Sequence, residues 1–142
     1  MKSNNFMEHI QSTKAVAAVE FALILPILLI ILFATVELST LLYDKSVITN
    51  AGREATRAGI VSSSKTDAEI QAYVQNYCLN RLITFGSNAT PTVTITRPLG
   101  SSSGNPLIVT VTYSFTGLVL GQLVQPKNWT QMLTSTTIMN YE

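Results

Sequence analysis

The sequence predicts an α+β chain: a long N-terminal helix that crosses a membrane and continues as a stem, a second helix, and a small antiparallel β-sheet. Three observations carry this prediction. Val16-Ala17-Ala18-Val19-Glu20 leads into an apolar run from Phe21 to Val36. At about 1.5 Å of rise per residue, that segment is long enough for a bilayer core about 30 Å thick. Apolar residues then recur at helical spacing to about Ile60, and beyond Pro91 they alternate one by one, as in half-buried strands. The implied organisation is a leader at 1–15, a transmembrane and stem helix at 16–60, and an α+β head at 61–142.

The first element is short and polar, Met1 to Ala15, with no clear period, and reads as a flexible leader. A cleaved secretory signal has an apolar region of about 7–15 residues ending at a small-x-small site. Here the run is longer, contains Pro26 and is followed by Glu37, so it reads as a retained anchor. Pro26 removes one helical hydrogen bond and is the expected place for a kink or a softened turn. In the stem, Leu38, Leu41, Leu42, Ile48, Ala51, Ala55 and Ala58 fall near a seven-residue repeat, and this stripe is expected to be packed. Glu54, Arg53 and Arg57 share the opposite surface, as a solvated face or a contact for another subunit.

Ser62-Ser63-Ser64-Lys65 breaks the helix. Thr66 and Glu69 then have the spacing of a capping box, with Ile70, Tyr73, Val74, Tyr77, Cys78 and Leu82 on one helical face and an end near Ile83. Thr92–Thr96 is a short strand. Leu107, Val109, Val111, Tyr113 and Phe115 alternate with polar or outward residues in the clearest strand of the chain, and a third strand spans Gln131 to Tyr141. The apolar connection from Gly117 to Trp129 has room for a short helical turn.

Composition excludes more than it selects. A net charge of +1 offers no basic surface for nucleic acid. Cys78 is the single cysteine, so no internal disulfide forms; it reads as a buried apolar position, the alternative being an intermolecular disulfide. His9 is the only histidine and lies in the leader, and the chain has no metal-ligand spacing, phosphate loop or nucleophile motif. No cofactor and no catalysis are expected. Asp44, Glu54, Asp67 and Glu69 read as helix-surface carboxylates. The sequon matches at Asn88 and Asn128 read as chance.

Small residues, then Val19-Glu20-Phe21-Ala22-Leu23, then Leu25-Pro26, Val36-Glu37-Leu38, Leu41-Leu42-Tyr43 and Asn50-Ala51-Gly52-Arg53-Glu54-Ala55-Thr56-Arg57-Ala58-Gly59 resemble the TadE-like family. Those proteins are pilin-like minor components of the tight-adherence (Tad, or Flp) pilus, a relative of type IV pili. The resemblance covers about residues 14–60. It implies a pilin plan, with a bacterial inner-membrane anchor, a cytoplasmic N-terminus and a periplasmic head. It implies membrane lipid, other pilin-like subunits, the Tad assembly machinery and a prepilin peptidase as partners. The family pattern makes Ala15 the last leader residue, where glycine is usual, and Val16 the first mature residue, with Glu20 and Phe21 at the matching positions beyond.

A glutamate at mid-bilayer costs roughly 2.5–3.5 kcal/mol on insertion scales, so Glu20 calls for a charged partner. The ammonium that cleavage would create at Val16 is one, within a chain or between neighbours. Pairing across subunits would set register, because a misregistered charge stays buried and unpaired. The alternative in another functional class is a single-span envelope receptor or binding module unrelated to pili, in which Glu20 is an ordinary interfacial carboxylate. An N-terminally anchored enzyme is the third reading.

Overall fold

A computed structural model describes residues 3–61, 65–85, 90–117 and 130–142, with side chains from Lys14 onward. Helix α1 is Ser3–Val61 and helix α2 is Asp67–Cys78, followed by strands β1 (Thr92–Thr96), β2 (Pro106–Thr116) and β3 (Thr130–Asn140). The α+β class expected from the sequence is the one observed. The chain divides into two units, Met1–Val36 and Glu37–Glu142.

In the first unit, α1 begins at Ser3 and includes most of the stretch expected to be a flexible leader. Between Ser3 and Lys14 there is no glycine or proline, and Met7, Glu8, Gln11 and Lys14 all favour helix. Extending an existing helix avoids the nucleation cost. The helix continues through Pro26, which has no N–H to give the Ala22 carbonyl.

The second unit is built on the three-stranded sheet, in order β1-β2-β3 with both pairs antiparallel. Alternation works as the sequence predicts: Leu107, Val109, Val111, Tyr113 and Phe115 are buried, while the residues between them form the other face. That other face is largely threonine, with the Thr110 and Thr136 hydroxyls 3.1 Å apart. On the inner face, the last turns of α1 contribute Ile48, Ala51 and Ala55, and α2 contributes Ile70, Val74 and Cys78.

The helices run antiparallel beside β2. A Cβ on Gly59 would lie 2.6 Å from Leu107 Cδ2 and 2.9 Å from Ile70 Cδ1. A Cβ on Gly52 would lie 3.5 Å from Val111 Cγ2, and Ile83 N–H donates to Asp44 Oδ1 at 2.9 Å. Without a side chain at Gly59, α1 approaches both α2 and β2 where the three elements converge.

The stem face differs from the expected stripe. Leu38 and Leu42 are exposed, whereas Glu37 and Asp44 are buried with Ile48, Ala51 and Ala55. The packed face follows alternating steps of three and four through 37, 41, 44, 48, 51 and 55, so it passes through two acidic positions that an apolar-only reading steps around. Asp44 is therefore a core residue and not a helix-surface carboxylate.

Helix α2 has the expected capping box: the Thr66 hydroxyl accepts from Glu69 N–H at 3.3 Å and the Glu69 carboxylate accepts from Thr66 N–H at 2.7 Å. The Thr66 N–H and then the Thr66 hydroxyl, each donating to the carboxylate, hold the Glu69 carboxyl below its ordinary range. The helix ends at Cys78, well before Ile83, because Leu79 leaves helical geometry (ψ 127) and Asn80 adopts a left-handed φ of 62°. Asparagine is among the few non-glycine residues that tolerate this conformation. Helix α1 stops at Val61 and Lys65 is non-helical; residues 62–64 of the expected break, and residues 118–129 of the connection expected to hold a helical turn, lie outside the described residues.

Candidate functional site

The candidate site residues Ala15, Val16, Glu20, Phe21 and Pro26 all lie on α1 and are exposed. From Val16 to Val36 the large apolar side chains face outward, with Val16, Phe21, Leu23 and Ile27 each more than half exposed. Nothing within the unit covers them. The helix is long and apolar enough to cross a membrane, and the apolar window has no buried share. Apolar surface of this extent is stable only against lipid or other protein. Among the described residues no ion pair reaches Glu20; the ion pair present joins Arg97 to Asp67.

The Thr35 hydroxyl donates to the Ile31 carbonyl on the preceding turn at 2.8 Å, as Thr49 and Thr56 do to Lys45 and Gly52 in the second unit. In an apolar setting a hydroxyl without a partner would be costly.

The second unit has a polar cluster that sequence reasoning missed. Asp44 Oδ1 accepts from Ile83 N–H, while Asp44 Oδ2 and the Tyr113 hydroxyl are buried without a hydrogen bond among the described residues. Burial raises the Asp44 carboxyl above its ordinary range, with the Ile83 hydrogen bond opposing. Burial, then the Asp44 charge, pushes the Tyr113 hydroxyl up. Burial also pushes the Cys78 thiol up to about 11, with Arg81 opposing and Asp44 adding to the shift. Cys78 is buried and free, the apolar position expected of it, and so little thiolate makes it unreactive. The signal available in the sequence was the three-four spacing of Glu37 and Asp44 with Ile48 and Ala51.

Arg97 is a second missed residue. It pairs with Asp67 at the start of α2, donates to the Lys65 carbonyl at 3.1 Å and donates to the Tyr141 hydroxyl at 2.9 Å. It ties three elements distant in sequence, so no local pattern announces it. Two depressions are formed by described residues of the unit. One is lined by Ile60, Val61, Ser101, Ser103, Tyr141 and Glu142, the other by Glu54, Arg57, Ala58, Val61, Lys65 and Tyr73. Neither gathers groups suited to covalent chemistry. Among the described residues no group of His, Cys, Asp and Glu is arranged to hold a metal ion.

An exposed apolar helix joined to a small α+β unit defines a class: an α+β protein with a candidate membrane anchor at its N-terminus. Residues 15–57 match the family model of TadE-like proteins, so the chain carries a TadE-like segment over less than a third of its length. The similarity is to a family associated with the Tad pilus, structural rather than catalytic in role. No curated protein and no solved structure gives a significant match. The matched residues contain Ala15, Val16, Glu20, Phe21 and Pro26, the buried Asp44, and the turns of α1 that pack on the sheet.

Proposed function

We propose that this chain is a minor pilin or pseudopilin, a structural and assembly component of a Tad-type type IV pilus. The observation that carries the reading is the TadE-like match over 15–57, centred on an apolar helix with a single acidic residue, Glu20, near its start. In this reading residues 1–15 are a cytoplasmic leader, residues 16–60 are the inner-membrane anchor and stem, and residues 61–142 form a periplasmic α+β head. A prepilin peptidase cuts between Ala15 and Val16. The new ammonium at Val16 and the carboxylate of Glu20 then offset one another's desolvation, within a subunit or between neighbours. Phe21 is the processing-motif neighbour, and Pro26 softens the helix for passage from lipid into a filament.

The test is the intact mass of the chain recovered from the membrane of its native host. A mature protein starting at Val16 is expected. A chain that keeps its first residues when the peptidase is active on other substrates would favour a single-span envelope receptor or binding module.

A further inference from the structure

We propose that the turn Leu79–Phe85, just beyond α2, is a docking surface for the lipid bilayer that holds the N-terminal helix; the inference rests on the membrane-anchor reading. The turn sits at one end of the folded unit. Helix α2 starts beside the last turns of α1, where Ile70 approaches Gly59, and it runs back so that Ile83 reaches Asp44. Asp44 is about 10 Å of helix from Glu37, the first residue of the unit. The turn is thus at the end joined by the chain to the apolar segment.

That end presents apolar side chains to the outside. Leu79 is 66% exposed, Tyr43 48% and Ile83 37%. Leu79 is held outward by a well-formed turn. Its N–H donates to the Gln75 carbonyl at 2.9 Å, and the N–H groups of Arg81 and Leu82 both donate to the Cys78 carbonyl, at 3.1 and 3.3 Å. Asn80 makes the left-handed step, and Phe85 is pinned edge-on to Phe115 with ring centres 6.2 Å apart. Leu82 and Phe85 pack toward the core from the same turn. The turn therefore has an inner and an outer side, and Leu79 is on the outer one.

The chemistry suits the headgroup layer better than a protein partner. Isolated apolar tips are mixed with a tyrosine and with one exposed long cation, Arg81, whose guanidinium lies 4.2 Å over the Tyr77 ring. Such side chains bury their stems and keep their charges wet, as interfacial anchors do. A stable subunit interface has a contiguous core depleted of charge. The anchor also keeps this end close to the bilayer, so weak contacts act at high effective concentration.

The experiment uses the full chain reconstituted in vesicles of phosphatidylethanolamine and phosphatidylglycerol, a fraction of them brominated in the acyl chains. Trp129 is the only tryptophan; in a Trp129→Phe background, Leu79→Trp places a reporter on the turn. Leu99→Trp is the comparison, 70% exposed in the β1–β2 hairpin, whose Ser101 and Ser103 lie beside Ile60 and Val61 at the opposite end of the stem. The expected result is bromolipid quenching at position 79 several-fold above that at position 99, with the order reversed for soluble acrylamide. Equal bromolipid quenching at the two positions would overturn the proposal. Protection from acrylamide at position 79 without bromolipid quenching would also overturn it, in favour of a protein neighbour. Release of the chain by an alkaline wash would instead defeat the anchor reading, and this inference with it.

Discussion

Asp44 sets the pH response of the folded unit. Its carboxyl is buried in contact with few polar groups and is raised above its ordinary value of 3.8. A carboxyl with a higher pKa folded than unfolded binds its proton more tightly in the native state. Its contribution to stability is therefore full below the unfolded value and is lost as pH rises through the folded one. Tyr113 and Cys78, the titratable groups coupled to it, are both shifted upward and stay neutral in that range. Urea denaturation of the full chain in detergent should show stability declining above about pH 4 by more than in Asp44→Asn, which keeps an acceptor for Ile83 N–H but does not ionise. Parallel profiles for the two chains would remove Asp44 as the source. Gly59 is a second sensitive position. Alanine is the better helix former by about 1 kcal/mol, but its Cβ would meet the buried ends of Leu107 and Ile70, and overpacking costs about 1–3 kcal/mol. Neither methyl has solvent to swing into, so Gly59→Ala should lower the urea midpoint; an unchanged or higher midpoint would mean that the core yields there.

Strand β3 is the element with an exposed liability. Its register pairs Tyr113 with Leu133, and beyond its end Tyr141 exchanges backbone bonds with Gly104 and Asn105. Odd-numbered backbone groups therefore face β2 and even-numbered ones face the outer edge. The Lys45 ammonium confirms this parity by donating to the Thr134 carbonyl from the side of α1. Thr130–Asn140 contains no charged residue, proline or glycine, the usual guards of an edge. The guard is borrowed from the stem. Lys45→Ala should raise the self-associated fraction of detergent-purified chain in light scattering, Lys45→Arg less so; identical masses would show that the edge is protected otherwise. How much of each element the sequence disclosed follows from the range of the forces involved. The capping box of Thr66 and Glu69 and the alternation of β2 are local, so they were readable. The end of α2 was not, because the turn at Asn80 is stabilised by Phe85 on Phe115 and Ile83 on Asp44, contacts made across the fold. The packed stem face lies a fraction of a turn from the apolar stripe, since burial of Glu37 and Asp44 runs against residue type. In the apolar segment, by contrast, the candidate residues were legible from one run of sequence and its family pattern.

At the scale of the whole molecule, a neutral apolar helix would serve the proposed anchor as well as this one, so Glu20 calls for a reason. Its carboxylate adds insertion cost and has no ion-pair partner among the described residues of its own chain. If Glu20 and the Val16 ammonium set subunit register, the two roles of the segment separate in Glu20→Gln. The amide inserts at lower cost, so membrane retention after an alkaline wash should be equal or better. The ammonium, however, loses its charged partner, and an uncompensated buried charge is strongly unfavourable. Surface pili should then fall in number although the subunit reaches the membrane. The proposed cleavage at Ala15 need not change with it, so N-terminal mass and pilus counts are to be read separately. Glu20→Asp keeps the charge but shortens the reach by one methylene, and an intermediate count is expected. A steric role would rank the variants differently, because glutamine matches glutamate in size while aspartate does not. Normal pilus numbers in Glu20→Gln, carried as the sole copy, would eliminate charge pairing and leave Glu20 an interfacial residue of a simple anchor.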